Sequence, residues 1–288
     1  MKNTTTLIND VSDTALWVAY YRAKESRKPN ALFKDPLAEL VMGERGRQIA
    51  EDMKNNSRFS EWTVIMRTVI IDNFIVQMIA EGIDTVLNLG AGLDTRPYRM
   101  QLPSSLKWIE ADYPNIIDQK NKVLQSHRPC CHLVREKVDL ANDVERTHFL
   151  NKIASESKNI LVLTEGVVVY LSEKQTSALA ADLRKSPSFK YWIVEYISPH
   201  VYPHLQTKGR KAKMQNAPFR FFPKDWLAFF KSNGFEPKET RYFGEEGVKF
   251  GRSMPLPRIA LLFRFLAPKA TFERTKKMSG FILLKRSD

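Results

Sequence analysis

Two periodicities divide the chain. Up to about residue 80 the apolar positions recur at helical spacing, and from Asp84 onward short apolar runs alternate with amphipathic stretches. The first part predicts three helices: one capped by Asp13 or Thr14 and reaching Glu25, one opened by Asp35-Pro36, and one over 61–80. The second part predicts strands over 85–89, 106–111, 132–137, 160–163 and 191–195, separated by helices over 114–126, 142–154 and 172–185. Strand and helix in alternation make an α/β fold, a parallel sheet with helices on both faces.

Beyond Glu195 the pattern changes. Residues 198–222 are rich in Pro, Lys and aromatics and read as an insertion; a helix follows over 223–232 with Gly234 as its stop. Residues 235–242 and 280–285 are apolar enough to be the last two strands, an antiparallel pair at the sheet edge, while 258–265 is apolar and fits either element type. No internal repeat is present.

Composition adds exclusions. In 288 residues, 43% are hydrophobic and 27% charged, an ordinary globular balance, and 15 Pro with 12 Gly exclude low complexity. Cys130 and Cys131 are adjacent and have no second pair, which excludes a disulfide framework and a cysteine zinc site. No run of about 18 consecutive apolar residues occurs, and the first ten residues hold no apolar stretch of signal-peptide length. Both point to a cytoplasmic protein without a membrane span. The net charge of +13 favours anionic partners: nucleic acid, an anionic surface or acidic small molecules. Its densest cluster, Lys208, Arg210, Lys211 and Lys213, reads as a solvated loop.

The strongest chemical signal is the strand 86–89 running into Gly90-Ala91-Gly92. Glycines at the carboxyl end of a first strand let the backbone turn sharply and approach a ligand closely. Thr95 stands where a dinucleotide fingerprint has its third glycine, which argues against a pyrophosphate and for a ligand with a nucleoside but no phosphate. Glu110 and Asp112 end the next strand about twenty residues on, where an acid can hold a ribose diol. Spacing leaves either one eligible.

With these stations in place, the chain resembles the leucine carboxyl methyltransferase family, including its bacterial branch of polyketide-synthesis-type O-methyltransferases. The matching runs are 21–26 (Tyr-Arg-Ala-Lys-Glu-Ser), 32–38 (Leu-Phe-Lys-Asp-Pro-Leu-Ala), Met66-Arg67-Thr68, 88–96, 110–114 and 164–171. The resemblance fades after about Glu195, and residues 208–213 match none of its motifs. It implies a Rossmann-like, seven-stranded, mostly parallel sheet of class I methyltransferase type over 81–288, with the insertion at about 198–222 and an N-terminal helical lid over 1–80. It also implies S-adenosyl-L-methionine as cofactor. On this resemblance Lys34 and Arg67 hold the methionine end, Gly90 and Gly92 form the backbone platform with Asp94 beside them, and Asp112 is the ribose acid with Glu110 competing. Asp139 and Leu140 meet the adenine, although Asp139 can equally cap a helix. Glu165 sits between cofactor and acceptor, and an acid among Leu163, Val167 and Val168 is costly to bury without a partner.

The expected reaction is O-methylation of a small acidic, polyketide-like acceptor. A carboxylate is already ionised at neutral pH, with a reference pKa of about 4, so no general base is required. A phenol would need one, and His200, His204 or Tyr202 in the insertion are the candidates. The five histidines make no convincing metal site. Other readings compatible with the sequence are an RNA methyltransferase, favoured by charge but lacking the Asn/Asp-Pro-Pro-Tyr-type loop after the fourth strand, a protein C-terminal carboxyl methyltransferase, and a non-catalytic cofactor binder. Neither the catalytic residues nor the oligomeric state can be read.

Overall fold

A computed structural model describes residues 11–52, 57–208, 216–255 and 269–288. Seven strands form one sheet: β1 (Thr85–Leu89), β2 (Lys107–Asp112), β3 (His132–Lys137), β4 (Ile160–Leu163), β5 (Phe189–Ile197), β6 (Phe235–Tyr242) and β7 (Ser279–Arg286). Their spatial order is β3-β2-β1-β4-β5-β7-β6. Strands β1 to β5 pair in parallel, and β7 runs antiparallel to β5 and β6. The order reverses at β1, which lies between β2 and β4. The crevice above their carboxyl ends is therefore the place where an open α/β sheet binds its ligand.

The described helices are α1 (Val11–Ser26), α2 (Ala38–Asp52), α3 (Ser57–Ala80), α4 (Arg96–Arg99), α5 (Pro114–Leu124), α6 (Asp143–Glu156), α7 (Glu173–Arg184), α8 (Tyr202–Leu205), α9 (Trp226–Ser232), α10 (Phe243–Lys249) and α11 (Lys269–Lys276). β1 and β4 are buried along their whole length, which is why they are unbroken apolar runs rather than alternating ones. One sheet face, with Leu87, Ile109, Val162 and Trp192, packs on Phe149 and Ile153 of α6, Leu179 and Leu183 of α7 and Phe230 of α9. The other, with Val86, Trp108, Leu161 and Ile193, packs on Met66, Ile70, Phe74 and Met78 of α3 and Phe243 of α10. α1 and α2 form a third apolar cluster with Leu93 after β1 and Leu124 of α5.

α3 thus packs on the sheet, while α1 and α2 share a separate apolar cluster. α3 is also long and apolar enough to cross a membrane by length and composition, with mean hydropathy 1.5 over Arg58–Ala80; more than half of it is buried inside the fold.

Helix starts follow caps. Asn142 caps α6 by accepting the Val144 and Glu145 N–H groups, Ser172 and Gln175 close a capping box on α7, and Asp225 caps α9, so that helix begins at Trp226 rather than 223. Asp13 and Thr14 fall inside α1. α2 begins at Ala38, because the Asp35 carboxylate is taken by the Thr95 hydroxyl and Arg22. β6 and β7 are the expected antiparallel edge pair, joined by a long connection holding α10 and α11. The insertion is anchored at both ends: the Tyr202 hydroxyl donates to Pro223 O, and Phe221 is buried against Trp226. Residues 1–10, the ambiguous 258–265 stretch, and Arg210, Lys211 and Lys213 of the basic cluster lie outside the described residues.

Candidate active site

The glycine turn is stitched to the end of β2. Gly90 N–H donates to Ala111 O at 2.8 Å, and Gly92 N–H donates to Asp112 Oδ2 at 2.6 Å. Gly90 (φ +69°) and Gly92 (φ +46°) are both left-handed. A Cβ on Gly90 would stand 2.4 Å from Val167 Cγ2, so glycine is required there for two reasons at once. One on Gly92 would meet Ala15 of α1 at 3.3 Å, which places α1 directly over the turn.

Asp112 also accepts the Tyr113 N–H at 2.7 Å. Burial raises its carboxyl and these two backbone donors only partly offset it. Val138 N–H bonds to Asp112 O, which brings the Asp139-Leu140 loop alongside. Asp139 is not a helix cap: its Oδ1 accepts the Ala141 N–H at 2.9 Å, while Asn142 caps α6. Leu140 is half-buried, its carbonyl accepting from Arg146. Glu110 is separated from this group. It is fully buried in ion pairs to Lys120 (2.8 Å) and Arg135 (2.7 Å). Of the two acids ending β2, Asp112 is the one at the crevice.

Over β4 the site is built of charge. Arg96, 1% exposed, sits among three carboxylates: Nη1 lies 2.8 Å from Asp94 Oδ2 and 2.7 Å from Glu165 Oε2, and Nε lies 2.7 Å from Asp72 Oδ1. Arg67 of α3 closes the set from outside, its Nε donating to Glu165 Oε1 at 2.6 Å. Burial alone would raise the Glu165 carboxyl, but Arg67 and Arg96 outweigh it and bring it down to about 2. Asp94 is likewise held far below the carboxylate range by Arg96, Lys120 and Arg22 against a larger burial effect. Its Oδ1 accepts the Arg96 N–H at 2.8 Å, so an acid already occupies the start of the short α4. A pyrophosphate would meet that negative charge.

Two buried groups at this edge were not singled out from the sequence. Arg22 of α1, 4% exposed, donates from Nη2 to Leu93 O at 2.6 Å and lies 3.4 Å from Asp35. Its signal was a cation on the apolar face formed by Ala19 and Ala23. Glu195, near the end of β5, accepts the Gly166 N–H on Oε1. Lys34 is exposed, and its ammonium donates to Ser26 O (2.8 Å) and Lys28 O (3.0 Å) at the carboxyl end of α1. Among the proposed phenol bases, Tyr202 accepts from Trp226 Nε1 and burial pushes its hydroxyl up to about 12, while His200 and His204 are exposed.

A glycine turn with an acid at the end of the second strand and a carboxylate already at the start of α4 is the setting in which the comparisons with known proteins fall. The leucine carboxyl methyltransferase profile matches residues 15–184. The chain belongs to this family. It is 30% identical to a Streptomyces coelicolor protein assigned to the S-adenosyl-L-methionine-dependent methyltransferases, over 84% of this chain and 88% of that one. A Streptomyces avermitilis protein assigned to the same class is also 30% identical, over 85% and 89%. Among solved structures, a DUF574 family protein of Streptomyces avermitilis aligns with TM-score 0.59 at 14% identity, covering 96% of this chain and 97% of that one. A Thermobifida fusca protein assigned to the methyltransferases aligns at 0.57 and 12%, covering 93% and 94%. The structural likenesses establish the Rossmann-like fold; family membership makes the chain a methyltransferase.

Proposed function

We propose that this S-adenosyl-L-methionine-dependent methyltransferase esterifies a carboxylate of a small acidic acceptor. The observation that supports this reading is the Arg67–Glu165–Arg96 cluster. It puts a partly exposed guanidinium at the β4 edge, while no histidine, cysteine or serine among the described residues hydrogen-bonds to the cluster. Such an edge can hold an anion, and a carboxylate acceptor needs no base.

The residues present fit the cofactor. The positive φ of Gly90 and Gly92 leaves a cradle free of side chains, Asp112 presents a carboxylate to a ribose, and the Asp139-Leu140 loop lies beside it. When bound, S-adenosyl-L-methionine supplies an activated methyl on a sulfonium. What the chain adds is position and dryness. α1 covers the glycine turn, Arg22 ties that helix to Leu93 O, and the paired Glu165 fixes the Arg67 guanidinium at the crevice. Gly90, Gly92, Asp112 and the Asp139-Leu140 loop would hold the adenosine, which would leave the β4 edge for the acceptor, where Arg67 would orient its anion.

Transfer of labelled methyl from S-adenosyl-L-methionine into a small-molecule extract tests the reading. Label released as volatile methanol in mild alkali is the expected result. Label that resists alkali would mean an ether or amine product and would overturn the carboxylate assignment.

A further inference from the structure

Glu165 and Glu195 lie side by side in environments of opposite kind. Glu165 is neutralised by two arginines. Glu195, 8% exposed, takes backbone N–H donors from Gly166, on Oε1, and from its own residue, and its Oε2 is buried without a hydrogen-bond partner. A buried carboxylate with an empty oxygen is costly, whereas a neutral carboxyl with a free O–H is tolerable and is a donor waiting for an acceptor. The groups facing it are few. Arg67 comes from α3, pairs with Glu165 and also favours a charged Glu195; Glu165 itself repels a second negative charge; Tyr170, half-buried in the turn after β4, brings a neutral hydroxyl; and across the sheet β7 presents Phe281. Burial dominates, and the Glu195 carboxyl is pushed up to about 7. Two neighbouring acids driven apart in this way take different roles.

We propose that Glu195 is an acceptor-binding residue: as a neutral carboxylic acid it donates a hydrogen bond from Oε2 to one oxygen of the acceptor carboxylate, leaving the other oxygen to take the methyl group. This rests on the carboxylate reading above. The O–C bond forms as the sulfonium C–S bond breaks; the anion and the cation neutralise each other, the ester leaves uncharged, and Glu195 keeps its proton throughout. Because the acid must stay protonated, activity is present below about pH 7 and is lost as Glu195 ionises above it.

The test compares the wild type with Glu195→Gln and Glu195→Ala between pH 5.5 and 9. Labelled S-adenosyl-L-methionine and the same small-molecule extract are used, scoring alkali-released methanol. The expected wild-type rate falls about tenfold per pH unit above 7. Glu195→Gln, whose amide still donates, is expected to stay within about threefold of the wild type and to lose the alkaline limb. Glu195→Ala is expected to fall at least about tenfold at every pH. Infrared difference spectra between wild type and Glu195→Gln give an independent readout, with a protonated carboxyl band at pH 6 that disappears by pH 8.5. The proposal is overturned if Glu195→Gln is as inactive as Glu195→Ala while the wild-type rate rises through pH 7, which is the behaviour of a general base on a hydroxyl. It is also overturned if no protonated carboxyl is seen at pH 6. Alkali-stable label in all three proteins would instead defeat the carboxylate reading beneath it.

Discussion

The two halves of the crevice are made of different material. Over β1 and β2 the groups are backbone and one acid: Gly92 and Asp112 are 20 residues apart in sequence and, with Gly90, are linked by bonds that begin and end on two adjacent strand ends. Over β4 and β5 they are side-chain charges brought from far apart. Arg67 and Glu165 are 98 residues apart in sequence, and Arg96 and Glu165 are 69. The first half is geometry that a local motif can encode; the second is a balance of buried charges that exists only once the fold has closed. Mutations should therefore act on stability in the second half and on cofactor affinity in the first.

The largest effect is expected from Arg96→Ala. It leaves Asp72, Asp94 and Glu165 facing each other without their shared cation, and removing one partner of a buried pair costs about 3–5 kcal/mol. Denaturant unfolding at neutral pH measures it; a loss below about 1 kcal/mol would mean the cluster is not the keystone drawn here. Next is Glu195→Gln, whose effect depends on pH. A carboxyl raised from an unfolded value near 4.5 to about 7 stabilises the fold fully below 4.5 and loses that advantage as pH rises to 7. The glutamine variant is thus expected to gain on the order of 3 kcal/mol over the wild type at pH 8, as an upper bound, and little at pH 4. Glu165 has the opposite sign: its contribution is present above about 4.5 and is lost as pH falls towards 2.

Smaller effects should sharpen the other half. Gly90→Ala forces a left-handed φ on a residue with a Cβ and drives it into Val167, an expected cost of about 1–3 kcal/mol in thermal unfolding together with loss of S-adenosylhomocysteine binding. Asp112→Asn should leave the fold intact and weaken S-adenosylhomocysteine about tenfold by calorimetry, worth about 1.4 kcal/mol. Lys34→Ala is expected to change that affinity by less than twofold and stability by less than about 1 kcal/mol, since its ammonium only closes the end of α1. A large affinity loss there would restore the role first read from its motif.

The same contrast explains what could be read in advance. β1 and β4 were legible to the residue, because strands buried on both faces are apolar runs with sharp ends; the edge strands β3 and β6 also lie where expected although they are only partly buried, and the Gly-x-Gly turn and its acid follow from a fixed spacing. Spacing could not separate Glu110 from Asp112, since both point to the same face of β2; the fold separates them by burying Lys120 and Arg135 against the first. Arg96 and Glu195 escaped because nothing local distinguishes a buried ionisable group from a solvated one, and Arg22 left only the faint signal of a cation on an apolar helix face. In the run 32–38 the Asp35 carboxylate holds Thr95 and Arg22, and the Lys34 ammonium lies at the end of α1, contacts that the motif does not spell out. Helical spacing in α3 reports an apolar face and not which layer receives it.

All of this turns on the cofactor lying with its adenosine over the glycine turn and its methyl end towards β4 and β5. A crystal structure of the S-adenosylhomocysteine complex tests that orientation directly. The account predicts ribose hydroxyls on the Asp112 carboxylate, adenine beside Asp139 and Leu140, and the sulfur facing the Glu165, Gly166 and Glu195 edge. A ribose bound elsewhere, or a sulfur pointing away from Glu195, would contradict it.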